Sequence, residues 1–157
     1  MSQHKLGKLF EPQSVAVVGA SEREGSLGRA VWKRLRAHPY AGRAYAVNPN
    51  HKEVFGEPCY AKMTDLPERV DLALIAAPAS ACAAILRECG ASGCNHALML
   101  SHGFGSGSSD ADLAATQKLA DVARAARVRL VGPNARGLLR PRIALDASAM
   151  TDVDTMP

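Results

Sequence analysis

One stretch limits what this chain can fold into more than any other. It runs from Ser14 to Gly28 and reads Ser-Val-Ala-Val-Val-Gly-Ala-Ser-Glu-Arg-Glu-Gly-Ser-Leu-Gly. Val15 to Val18 is an apolar, mostly β-branched run, the length of a strand buried on both faces. Gly19 closes it and a small polar loop follows. From Ser26 the apolar residues step by three and four, through Leu27, Ala30, Val31 and Leu35, which predicts a helix. A strand, a glycine loop and a helix start make an anion site, because first-turn amides lack partners and the helix dipole is positive there. Ser21 and Ser26 add hydroxyl donors, and Ser26 suits an N-cap. The spacing departs from the G-x-G-x-x-G of dinucleotide sites, since five residues separate Gly19 from Gly25 and position 21 is serine. Taken alone, the loop reads equally as a phosphate cradle or as a tight strand-to-helix turn.

The strand-then-helix alternation continues. Further strands are expected at Ala44–Val47, Asp71–Ala76, Ala97–Leu100 and Val128–Val131. A helix is expected over Ser80–Ala91, ended by Gly90 or Gly93, and another along Leu119, Val122, Ala123 and Ala126, with Ser109 and Asp112 forming its cap. Residues 4–13 predict a short helix or turn that packs Leu6, Leu9 and Phe10 on the domain edge. Residues 53–60 read as a small excursion turning at Gly56. The fold class is therefore α/β: a doubly wound parallel sheet of about five strands with helices on both faces. Ligands of such sheets sit beyond the carboxyl ends of the strands. There this chain places Gly19–Gly28, Asn48–Lys52, Ala77–Ser80, Ser101–Gly107 and Gly132–Gly137. The second strand ends without an acidic residue. Asn48, His51 and Lys52 would accept a phosphate on a ribose, although the same residues also read as an ordinary Asn-Pro turn. Ser101–Ser109 reads as a loop over a ligand.

Composition removes several classes. With three Phe, three Tyr and one Trp in 157 residues, the chain is poor in stacking platforms for nucleic acid. A net charge of +4, spread along the sequence, suits a small polyanion. The start of the chain has no signal-peptide pattern, and no apolar run matches a membrane helix. Four cysteines occur without a C-x-x-C pair, so reduced thiols in the cytoplasm are expected, and no metal site. Residues 1–150 fit one domain, and 151–157 read as a linker or cut end leading to an absent domain.

Several segments together resemble a known family. They are Leu9-Phe10-x-Pro-x-Ser-Val-Ala-Val-Val-Gly-Ala-Ser, Ser26-Leu27-Gly28, Val47-Asn48-Pro49, Gly56-x-Pro-Cys-Tyr, Asp71-Leu72-Ala73, Gly132-Pro133-Asn134 and Leu145-Asp146-Ala147-Ser148. In this order they resemble the Rossmann-like CoA-binding domain of NDP-forming acyl-CoA synthetases, which also occurs in succinyl-CoA synthetase α-subunits and in GNAT protein lysine acetyltransferases. The resemblance implies coenzyme A or acyl-CoA as ligand, with its 3′-phospho-ADP part at the first loop. Gly19, Ser21, Glu22, Arg23, Glu24, Gly25 and Ser26 would line that loop. His51, helped by Lys52, falls where the family places a phosphate-binding lysine. Ser101, His102 and Gly103 match the loop that passes the pantetheine arm, and Asn48, Pro78 and Asn134 complete the cofactor set. No catalytic residue is expected within the chain.

Some positions depart from the family. His51 stands for lysine, His102 for an acidic residue, and Ala135-Arg136 for the usual Cys-Leu or Cys-Pro; Gly103-Phe104-Gly105-Ser106 lacks a glutamate. These departures lead to the expectation of an acetyltransferase parent, in which the domain would be regulatory. The alternatives are an NADP-binding Rossmann domain and a structural module with an eroded site. Expected partners are the downstream domains of the same polypeptide, with a homo-oligomer compatible with the reading and neither nucleic acid nor membrane involved.

Overall fold

The computed structural model describes residues 4–105 and 107–149. Its elements in chain order are α1 (His4–Phe10), β1 (Ser14–Val18), α2 (Leu27–Ala37), β2 (Arg43–Val47), β3 (Glu53–Val54), β4 (Glu57–Tyr60), β5 (Leu72–Ile75), α3 (Ala79–Ser92), β6 (His96–Met99), α4 (Asp110–Ala125), β7 (Arg129–Val131), β8 (Gly137–Arg140) and β9 (Leu145–Ser148). The linker expected at 151–157 and Ser106 of the expected ligand loop lie outside the described residues.

The main sheet has seven strands in the order β3-β4-β2-β1-β5-β6-β7. All its pairs are parallel except β3 with β4. β1 runs in the middle, with Val17 opposite Ala46 on one side and Leu74 on the other. Having neighbours on both edges and helices on both faces, β1 is buried throughout and apolar from Val15 to Val18. Ala16 and Val18 join a core under α3 and α4, with Cys82, Leu86, Cys89, Leu119 and Ala123. Val15 and Val17 join a second core under α1 and α2, with Leu9, Val31, Trp32 and Leu35. The sheet is doubly wound, as expected.

The helix boundaries follow capping chemistry. Ser26 Oγ accepts from the Arg29 amide at 3.2 Å, and Ser109 Oγ from the Asp112 amide at 3.1 Å. At the end of α3 it is Gly93, at φ +79°, that turns the chain left-handed, and the Cys94 amide donates back to the Cys89 carbonyl at 2.9 Å. The cysteines are free. Cys89 and Cys94 share a hydrogen bond that pushes the Cys89 thiol up and holds the Cys94 thiol down.

The structure differs from two expectations and adds two features of the core. The sheet carries seven strands rather than about five, because the 53–60 excursion is the β3–β4 hairpin and β4 pairs parallel with β2. Of the α1 apolar residues only Leu9 is buried, while Leu6 and Phe10 keep 39% and 43% of their surface exposed. Residues 137–148 form the β8–β9 hairpin, and its Leu145 and Ala147 pack in the α2 core. Trp32, outside the expected apolar face of α2, is the bulkiest side chain in that core.

Candidate functional site

The chain leaves β1, crosses to β2 on one side, and later returns to β5 on the other. The strand order therefore reverses between β1 and β5, and α/β sheets hold ligands in the crevice at such a switch point. A cleft of about 660 Å³ opens there, within the range that takes a small-molecule cofactor. Its lining comes from the ends of β1, β2, β5 and β6.

Two glycines create the space. Gly19 has φ +98°, and a side chain there would meet the Ala76 carbonyl oxygen at 2.7 Å, so β1 and β5 approach at their ends only without one. A Cβ on Gly28 would fall inside the Gly19 carbonyl. Close approach of helix to strand thus demands glycine at position 28, and α2 starts directly over the end of β1. The spacing argument left Gly28 out of the ligand set, yet it also lines the cleft.

The loop between them is held by its own side chains. Ser21 Oγ accepts from the Arg23 amide at 3.0 Å, and Ser26 Oγ donates to the Arg23 carbonyl at 2.7 Å. Glu22 reaches out of the loop, and its Oε1 accepts from the Phe55 amide at the β3–β4 turn at 2.6 Å. Arg29 donates to the Glu22 carbonyl and lies over the Phe55 ring, 5.2 Å from its centroid. The hairpin and the glycine loop are thereby latched into one wall. Ser26 and Glu22 shape the wall rather than offer free groups. Arg23 is exposed and has no ion-pair partner among the described residues.

The second-strand loop is built similarly. Asn48 Nδ2 donates to the Ala20 carbonyl at 2.9 Å, and its Oδ1 accepts from the Asn50 amide at 2.9 Å. Asn48 therefore ties β2 to β1, while Asn50, His51 and Glu53 face the cleft. On the β6 side Ser101 is buried, and its hydroxyl donates to the carbonyls of Ala77 at 2.6 Å and Ile75 at 3.3 Å. His102 is exposed, with Nδ1 3.4 Å from Asn134 Oδ1.

Of the residues expected at the site, Gly19, Ser21, Glu22, Arg23, Ser26, Asn48, His51, Pro78, Ser101 and His102 line the cleft. Glu24, Gly25, Lys52, Gly103 and Asn134 do not. Gly25 is exposed with open space where a side chain would stand, so its φ of +72° is the reason for glycine. Asn134 lies one step back, with its Oδ1 3.4 Å from His102 Nδ1. Sequence reasoning missed Leu27, Gly28, Asn50, Glu53, Ala76 and Ala77. The paired alanines after β5 were a usable signal, since small residues at a strand end admit a ligand. Glu53 gave none, because it reaches the cleft only through the folding of the hairpin. Among the described residues no cluster of His, Cys, Asp or Glu could hold a metal, and no helix is long and apolar enough to cross a membrane.

A doubly wound sheet with an open cleft at its switch point, walled by a helix N-terminus, belongs to the class of α/β domains that hold ligands beyond the carboxyl ends of their strands. The comparisons narrow this class. Residues 13–141 match the family model described as a CoA binding domain, and the chain belongs to that family. It is 41% identical over 144 residues to the ADP-forming acetate–CoA ligase I of Archaeoglobus fulgidus, covering 91% of this chain and 20% of that protein. It is 35% identical over 153 residues to the α-subunit of ADP-forming acetate–CoA ligase I of Pyrococcus furiosus, covering 94% of this chain and 33% of that one. The apo structure of the dinucleotide-forming acetyl-coenzyme A synthetase 1 of Ca. Korarchaeum cryptofilum superposes with a TM-score of 0.85 at 30% identity, over 92% of this chain and 31% of that one. The chain thus spans between a fifth and a third of the length of these relatives. All three are ligases or synthetases by name, and the expected acetyltransferase parent draws no support from them.

Proposed function

We propose that this chain binds CoA or an acyl-CoA in the switch-point cleft, as the CoA-binding part of an ADP-forming acyl-CoA synthetase. The diphosphate rests on the amides at the start of α2, with Arg23 beside it. The adenosine lies toward the β2 loop, and the pantetheine arm runs past Pro78 toward Ser101 and His102. The chain's own residues bind and orient the carrier. The acyl group is activated by other parts of the larger protein or its partner subunits, and the thiol is delivered to it. The observation that carries this reading is a coincidence: the family match spans the strands and loops that build the switch-point cleft, where Gly19 and Gly28 let β1, β5 and α2 approach. The ligase parent takes precedence over an acetyltransferase because the named relatives are ligases.

Calorimetry tests it. CoA is expected to bind saturably at one site, with acetyl-CoA similar and NADP at least about tenfold weaker, a difference of ~1.4 kcal/mol. Tight NADP binding without CoA binding overturns the assignment in favour of a dinucleotide domain.

A further inference from the structure

We infer that Glu22 is a positioning residue of the cleft that acts through the β3–β4 hairpin. Its carboxylate pins the hairpin tip to the glycine loop, and so fixes how far apart the two walls stand at the rim. This rests on the reading of the cleft as a CoA site. One wall is the β1–α2 loop, and the other is the segment that carries Asn50, His51 and Glu53. At the floor the walls are joined through β1 and β2. There the Gly19 amide donates to the Val47 carbonyl at 2.8 Å, and Asn48 Nδ2 donates to the Ala20 carbonyl at 2.9 Å. At the rim the join passes through Glu22, whose Oε1 accepts from the Phe55 amide at 2.6 Å.

The tip is built to be held from outside. The turn between Val54 and Glu57 consists of two left-handed residues, Phe55 at φ +49° and Gly56 at φ +78°. Glycine takes that conformation freely, whereas phenylalanine rarely adopts it and keeps it only where its surroundings impose it. The hairpin ladder pairs Val54 with Glu57 and Glu53 with Pro58, which leaves the Phe55 amide outside it for Glu22. The Phe55 ring centroid lies 5.2 Å from the Arg29 guanidinium, which also donates to the Glu22 carbonyl. Behind the tip, Val54 is buried in the α2 core, and Arg36 Nε donates to Glu57 Oε2 at 2.9 Å. The root of the hairpin therefore stays in place without Glu22, and the tip is the part that depends on it.

This role accounts for an acid in the lining of a cleft that takes a polyanion. A free carboxylate there would repel the phosphates. Bonded to the Phe55 amide, it is turned to the hairpin and its charge is partly offset. The two readings of Glu22 predict opposite signs. As a bare charge, its removal strengthens CoA binding. As a pin, its removal weakens binding, because Asn50, His51 and Glu53 lose their fixed distance from the amides at the start of α2.

The experiment compares the natural protein with Glu22→Ala and Glu22→Gln, by calorimetry with CoA at fixed ionic strength and by hydrogen exchange of the free proteins. Glu22→Ala is expected to weaken CoA binding about three- to tenfold, the scale of one lost charge-assisted bond. It should also speed exchange at the Phe55 amide and in the loop from Glu22 to Gly25, with β1 and α2 unchanged. Glu22→Gln keeps an acceptor in the same place and sheds the charge, so its affinity is expected to stay within about twofold of the natural protein. Undiminished or tighter binding by Glu22→Ala overturns the inference, as does equal weakening in both variants, which would make the charge and not the bond the cause. Unchanged exchange at Phe55 in Glu22→Ala overturns it as well. Where the natural protein binds CoA and Glu22→Ala binds it equally, the CoA reading stands and the role of Glu22 falls. Where the natural protein binds no CoA, both fall.

Discussion

At the scale of single residues the site separates into groups that build it and groups left over for a ligand. Ser26, Asn48 and Ser101 have hydroxyls or amides committed to backbone partners. Arg23 and His51 do not. Arg23→Ala is therefore expected to weaken CoA binding about five- to tenfold, with an unchanged thermal midpoint of the free protein, since it removes a cation and no internal bond. Calorimetry beside a thermal melt checks both halves. Gly28→Ala should lower the stability of the free protein itself. A methyl inside the Gly19 carbonyl must push α2 off β1, and overpacking of this kind costs about 1–3 kcal/mol, read by urea unfolding. Tyr40 offers a test with pH. Its hydroxyl donates to the Pro12 carbonyl at 2.5 Å, and burial, then the nearby Asp71 charge, push its pKa up to about 12. A raised pKa means the folded state favours the neutral phenol. Its stabilisation is whole below the ordinary tyrosine value of about 10 and is lost as pH rises toward 12. Tyr40→Phe should lose that part of the alkaline slope in unfolding free energy between pH 9 and 11.5.

At the scale of elements, what could be read from the chain followed the strength of the local signal. The parallel strands β1, β2, β5, β6 and β7 stand where apolar β-branched or aliphatic runs predicted them; β1, β5 and β6 are buried along their whole length, and a strand covered on both faces is written in consecutive residues. The Ser26 and Ser109 caps were legible for a similar reason, as a cap is a contact between residues three apart. The β8–β9 hairpin was not legible. Its strands alternate weakly, and what holds it is long-range: Asp146, buried between α2 and the hairpin, accepts from the Ser148 amide at 3.0 Å and lies 3.7 Å from Arg34 and 3.6 Å from His38. No spacing in the sequence couples residue 146 to residue 34. The same holds for Glu22 and Phe55, whose bond joins the glycine loop to a hairpin tip. Asp146→Asn is expected to destabilise the fold by about 1–3 kcal/mol, because it removes the charge facing Arg34 while leaving a buried polar group. Denaturant unfolding gives the size of the loss. Hydrogen exchange should place the loosened amides in β8, β9 and the end of α2.

At the scale of the whole molecule, the core and the cleft are separable. The two apolar layers lie above and below the sheet, and the cleft lies beyond the carboxyl ends of its central strands, made of loops that the layers hold but do not need. A ligand in that position touches little of the core, so its effect on stability must come through linkage. Anything that binds the folded chain alone adds RT ln(1 + [L]/Kd), about 2.7 kcal/mol at a hundred times Kd. For a domain near this size each kcal/mol raises the midpoint by about 2–4 °C. CoA at that excess is therefore expected to raise the melting temperature by about 5–10 °C. The added protection from hydrogen exchange should divide in two. Core amides of β1 and β5, which exchange only through global unfolding, should slow by the full linkage factor. Loop amides at Ser21–Gly28 and Asn48–Glu53 open locally and should be protected only where the ligand sits. Slowing of the core amides without any loop protection would mean that the stabilising ligand binds elsewhere on the surface, and the assignment of the cleft would fail although the chain still bound CoA.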